Sequence, residues 1–302
     1  MAHQPLIESL TEFYNTLAAL RYIPTFAIVH PPKGGHKDVD EAAAREQGFS
    51  DEMISLMKSL PYLAAECEDV SVAPATKPRS YLEDDFLDWA RDPTFTGSHM
   101  TKAIHLVLTN PGQYGTVLIY DSEQSNCVSW SPSKGIQKPC GDQQALEGLA
   151  YAHLPFLPAE QVIRQWTQKW ISLQWLPLNE TNGWHLLIEE PSEAELRQAS
   201  KTSQLREQCQ VRLLQRELKN CFIAAGWDAT APDLESARRN FDGEAYEHKK
   251  LQWKESTQAL LDQAFSEKWP WARISARANL LSERAAILDQ GPDDGPKTRL
   301  RI

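Results

Sequence analysis

His105 and Asp121 are the residues of this chain best suited to moving a proton. They border two apolar runs, "IHLVLT" and "TVLIYD", and a histidine beside a carboxylate is well matched to general acid–base work near neutral pH. The two meet only if those runs pair as neighbouring antiparallel strands. Tyr120 and Trp130 lie close by in the sequence, on either side of the polar turn "DSEQSN". In an apolar pocket of roughly 300–1,000 Å³ these four residues would be the first to look for.

The remaining chemistry-bearing residues form no comparable constellation. The eight histidines, His3, His30, His36, His99, His105, His153, His185 and His248, show no H-x-H, H-x-x-x-H or H-E-x-x-H spacing. His30 and His36 approach each other in "HPPKGGH", a Pro/Gly loop without further ligands. No metal site is expected. There is no G-x-S-x-G elbow for a nucleophilic serine. "PPKGGHK" and "GPDDGPK" match neither phosphate-binding glycine pattern, so no cofactor is expected. The acidic stretch "EDDFLD" reads as a helix start. Ser80 and Glu83 fit a capping box, and Asp84 and Asp85 favour the first turn.

Tryptophan is the unusual feature, with ten in 302 residues. Its large surface and its N–H suit interfaces and ligand pockets. Trp89, Trp166 and Trp170 fall on helix faces and read as core. Tyr120 and Trp130 on the hairpin, and Trp269 and Trp271 in "WPW", are the candidate binding residues.

These residues need a scaffold, and the composition supplies an ordinary globular one: 41% hydrophobic and 24% charged. A net charge of −10 argues against nucleic acid and anionic membranes as partners. No run of about 18 apolar residues offers a membrane span. The opening has no basic region followed by an apolar one, since Glu8 and Glu12 interrupt it, so no secretory signal is expected. Five scattered cysteines without a C-x-x-C pair read as reduced thiols of the cytoplasm or nucleus.

Leu6, Leu10, Phe13, Leu17 and Leu20 recur at helical spacing, and the helix they predict must stop before Pro24. A second helix is predicted from Ser50 to Leu60, with Ser50 as its cap and Met53, Ile54, Met57 and Leu60 inward. A third begins at Ser80, with Phe86, Leu87 and Trp89 as its buried side. Residues 104–109, 116–121 and 127–130 predict an antiparallel meander, the first turn being "NPGQYG". Pro158 opens an amphipathic helix that presents Val162, Ile163, Trp166, Trp170 and Leu173. "GWHLLIE" predicts one more strand, and a long helix from Ser192 closes at Gly226 in the left-handed position. Helical stretches at roughly 233–267 and 271–289 complete the chain.

The expected fold class is α+β, with a small antiparallel sheet of about four or five strands packed with helices. A core domain is expected over 1–229, a helical extension over 230–290, either separate or part of the same domain, and a disordered tail over 291–302.

Residues 50–230 resemble a group of proteins of filamentous fungi. The resemblance is carried by "DEMISLMKSLPYL", "YGTVLIYDSEQSNCVSW", "PAEQVIRQWTQKWISLQWLP" and the late "GW". More remotely, helices followed by a small sheet with an "IYD" hairpin and then helices again look like the SUKH superfamily. That superfamily includes fungal cell-wall synthesis regulators and bacterial immunity proteins. The resemblance implies an α+β module that works by binding other proteins and carries no catalytic residues. The leading expectation is therefore a non-catalytic module with a protein partner. Its rival is an enzyme or carrier for a small aromatic or apolar metabolite of a fungal biosynthetic pathway.

Overall fold

The computed structural model describes residues 3–67, 69–82, 87–92, 101–111, 115–131, 151, 154–177 and 215–266. In chain order the elements are α1 (Gln4–Ala19), β1 (Ile28–Val29), α2 (Glu41–Glu46), α3 (Asp51–Met57), β2 (Tyr62–Leu63), β3 (Thr76–Pro78) and α4 (Leu87–Arg91). Then come β4 (His105–Val107), β5 (Thr109–Pro111), β6 (Val117–Asp121), β7 (Asn126–Trp130), β8 (Leu157–Pro158) and α5 (Ala159–Ile171). A helix over 215–224, here α6, precedes α7 (Leu234–Arg238) and α8 (Gly243–Ser266). The fold is α+β with a helical C-terminal part.

The principal sheet is antiparallel, in the order β4-β6-β7-β8. Its register pairs Val107 with Ile119, Ile119 with Val128 and Val117 with Trp130. Those side chains share one face and pack on Tyr151. Leu106, Leu118, Tyr120 and Cys127 take the opposite face, as strand alternation requires. Helix α5 packs on β7 and β8, and α1 packs on α5. The Trp166 ring lies 6.3 Å from Phe13. All five residues of β6 are buried, which is why "VLIYD" shows no polar alternation.

The meander is therefore present, with two changes. The first expected strand breaks at Leu108, whose N–H bonds to Leu118 while its carbonyl turns to Arg79. Asn110 and Pro111, expected in a turn, continue as β5 and pair with β3 in a separate ribbon. The edge strand β8, the ribbon β1–β2 and the helix α2 had no periodicity long enough to announce them. Asp40 caps α2 through the N–H groups of Ala42 and Ala43, and Ser50 caps α3 through Met53.

Other expectations need correction. Ser80 does not open a helix: its hydroxyl accepts from the N–H of Leu82, and the described helix begins at Leu87. Glu83, Asp84, Asp85 and Phe86 lie outside the described residues, as do 178–214, which hold "GWHLLIE", and 267–302. Leu87 is buried as expected, but Trp89, expected in the core, is 42% exposed, because α4 turns Ala90 inward beside Leu87. The stretch 233–267 is two helices. Phe241 breaks it by turning into an aromatic cluster, and Asp242 starts the next helix by capping Glu244 and Ala245.

The chain divides into two compact units, Met1–Tyr246 and Glu247–Ile302. The first runs past residue 229 because Phe222, Trp227, Phe241 and Tyr246 pack together, the Phe222 and Tyr246 rings stacking at 4.0 Å. Gly226 has φ +94, and a Cβ there would run into the Asn240 carbonyl. Only glycine lets the chain turn so sharply beneath its neighbour.

Candidate functional site

Cross-strand register places His105, the first residue of β4, directly opposite Asp121, the last of β6. Neighbours so placed have Cβ atoms ~5 Å apart, close enough for their side chains to meet. His105 Nε2 lies 3.6 Å from Asp121 Oδ2. On its other side, His105 Nδ1 lies 2.8 Å from the Tyr151 hydroxyl. The pair singled out by chemistry is brought together, and Tyr151 completes a chain of three.

The protons of this chain follow from its partners. A carboxylate accepts only, so Nε2 carries the hydrogen that faces Asp121. Nδ1 of the neutral ring is then an acceptor, and the Tyr151 O–H donates to it. The ring is held neutral because burial pushes the pKa of His105 down, against the pull of Asp121; Lys102 and Arg91 push it further down. Burial pushes the Tyr151 phenol up, so the hydroxyl keeps its proton. The Asp121–His105 contact is long for a hydrogen bond, whereas the Tyr151–His105 bond is short and good.

Asp121 also closes the hairpin. Its Oδ1 accepts from the N–H groups of Glu123 at 2.9 Å and Gln124 at 3.2 Å. Ser125, with φ +55, makes the left-handed step of the same turn. The rings around the site are aromatic: Phe156 lies 6.2 Å from His105 and 6.3 Å from Tyr151, and Trp130 lies 6.2 Å from Tyr151.

Burial decides what this arrangement does. His105 is 2% exposed, Asp121 7%, and Tyr151 is fully enclosed. A general acid or base must reach a substrate atom, directly or through one water. Here both ring nitrogens face protein partners. In this state the three residues tie β4, β6 and the Tyr151 segment together, as a satisfied polar network does.

The candidate binding residues fall into three situations. Tyr120 is buried on the α1 face of the sheet, where its hydroxyl meets His3 Nδ1 at 2.8 Å; His3 Nε2 in turn lies 3.1 Å from Glu52. Trp130 is buried in the opposite layer, and its Nε1–H is without a hydrogen-bond partner. Neither ring is displayed on a surface. Trp269 and Trp271 lie outside the described residues.

Among the described residues, no three His, Cys, Asp or Glu side chains converge as metal ligands. His36 is buried with Nε2 at 2.9 Å from the Leu60 carbonyl, and His30 is exposed. No described helix is long and apolar enough to cross a membrane. Sequence reasoning passed over Tyr151 and His3. Both are single residues in unremarkable surroundings, brought to their partners across 46 and 117 positions.

No protein-family model, curated protein or solved structure matches the chain.

Proposed function

We propose that this protein is a non-catalytic interaction or regulatory module of the cytoplasm or nucleus that works by contacting another protein. The observation that carries this reading is the enclosure of the His105–Asp121–Tyr151 chain: its polar atoms face one another inside the core, away from solvent. Among the described residues of the first unit, the exposed large apolar side chains are Phe26, 74% exposed, with Trp89 and Ile223. The pattern resembling the SUKH superfamily points the same way.

The test is a photo-crosslinking residue placed at 26, at 89 and, as a control, at the exposed Glu160, in cells that express the full chain. A discrete protein adduct from 26 or 89 but not from 160 supports the reading. Adducts that are absent at all three, or equal at all three, overturn it. Phe26→Ser should leave stability within about 0.5 kcal/mol of wild type, as surface changes do, so that a lost interaction is not a lost fold.

The rival, an enzyme or carrier for a small aromatic metabolite, is favoured by one feature. Trp130, Tyr151 and Phe156 form an aromatic layer beside an acid–base chain. It requires saturable quenching of tryptophan fluorescence by one aromatic metabolite and loss of that response in His105→Gln.

A further inference from the structure

Arg91, the last residue of α4, is a buried cation whose hydrogen-bond partners among the described residues are all neutral carbonyls. Its Nη1 donates to the carbonyls of Gln47 at 3.2 Å and Gly48 at 2.8 Å, and its Nη2 donates to the Thr101 carbonyl at 2.9 Å. The guanidinium carbon stands 5.2 Å from the centre of the Phe49 ring. Carbonyl dipoles and a π face ease the burial of a cation, but they supply no counter-charge. Among the described residues no Asp or Glu forms an ion pair with it. Asp121, the buried carboxylate of this region, has Oδ1 on the hairpin turn and Oδ2 toward His105.

Two polar atoms of this contact lack a hydrogen-bond partner: Arg91 Nε and the Thr101 hydroxyl oxygen. They belong to residues that grip each other twice, through Arg91 Nη2 on the Thr101 carbonyl and through the Thr101 N–H on the Arg91 carbonyl. Buried polar atoms are paired in the great majority of cases, and an exception calls for an explanation such as an ion. Both groups can donate. An acceptor that bonds to both and is also negative would satisfy them and balance the guanidinium.

We propose that Arg91 and Thr101 form a binding site for a small oxyanion, a carboxylate or phosphate group held by the Arg91 Nε–H and the Thr101 hydroxyl. A guanidinium N–H and a hydroxyl, on residues joined by two hydrogen bonds, match such a group in both charge and hydrogen-bond direction. Gly48 is exposed, and a Cβ built on it would stand 3.5 Å from Arg91 Nη1. Lys102 and Ala103, next to Thr101, are also exposed. A water molecule would satisfy the hydrogen bonds without the charge, so the response to anions separates the two.

The experiment is thermal unfolding of the full chain at pH 7.5, titrated with sodium acetate or with sodium phosphate, at ionic strength held constant with sodium chloride. The expected result is a saturable rise in Tm with at least one oxyanion and none with chloride. The stronger of the two responses tells carboxylate from phosphate. Thr101→Val keeps the shape and removes the hydroxyl. It should weaken the apparent affinity roughly tenfold, the size of one charge-assisted hydrogen bond, and leave the oxyanion-free Tm unchanged or slightly higher. Arg91→Lys keeps the charge, loses the Nε donor and should weaken binding as well. If Arg91→Lys fails to fold, Thr101→Val decides alone. No saturable response in wild type, or a Thr101→Val response equal to wild type, overturns the proposal.

Discussion

Acidification should destabilise this protein through His105, and the direction of the effect follows from the structure. The ring is 2% exposed and held neutral, because burial lowers its pKa in the fold. The unfolded chain takes up this proton near the ordinary histidine value of about 6.5, while the folded chain resists it. The unfolded state then binds more protons, so stability falls as pH drops below that value. The contribution is fully present above about pH 6.5 and is lost on the way down to the folded pKa. One proton corresponds to about 1.4 kcal/mol per pH unit. Between pH 7 and pH 5 the loss can reach about 2 kcal/mol, a large share of a typical stability.

The assay is urea unfolding, followed by tryptophan fluorescence, at a series of pH values from 7.5 to 5, for wild type and His105→Gln. Glutamine can still accept from Tyr151 but does not titrate in this range. The variant should be less stable at pH 7.5 by about 1–3 kcal/mol, the cost of imperfectly replaced buried hydrogen bonds. Its pH profile should be shallower by one proton. Titration of the other histidines and carboxylates is common to both proteins and cancels in the difference. A difference curve that is flat across this range, or that moves in favour of wild type as pH falls, would refute the reasoning.

Two further substitutions probe what holds the candidate site and its support. Tyr151→Phe removes the donor to His105 Nδ1 and leaves a buried acceptor unpaired; it should cost about 1–3 kcal/mol in the same unfolding assay, and equal stability would mean that the bond is not made in solution. Gly226→Ala forces a side chain into a left-handed position and against the Asn240 carbonyl. It should destabilise by more than about 1 kcal/mol, seen as a lower urea midpoint, and an unchanged midpoint would contradict the turn described here.

How much of this was legible in advance depended on the range of the interaction. Helix α1 could be read because Leu6, Leu10, Phe13 and Leu17 repeat at the helical period, and all four are buried. The caps of α3 and the left-handed Gly226 were equally visible, since cap chemistry is local. Trp89 shows the limit. Helical spacing names a face, but which face meets the core depends on what packs beside it, and α4 buries Leu87 and Ala90 instead. The strand over 104–109 changes partner at Leu108 because Arg79 and Leu118 claim its two backbone groups from different sides. Neither partner is near in sequence.

The candidate site divides along the same line. From the sequence alone came the residue types able to exchange a proton, and the meander that would set His105 opposite Asp121. Period and turn chemistry carry that much, because they act over a few residues. Only the tertiary structure decided that Tyr151 takes the other ring nitrogen, that Tyr120 and Trp130 face inward on opposite sides of the sheet, and that Arg91 is buried against backbone carbonyls. Those outcomes rest on burial and on contacts between distant segments. A side chain's solvent exposure, and with it its charge state and reach, is a property of everything packed around it.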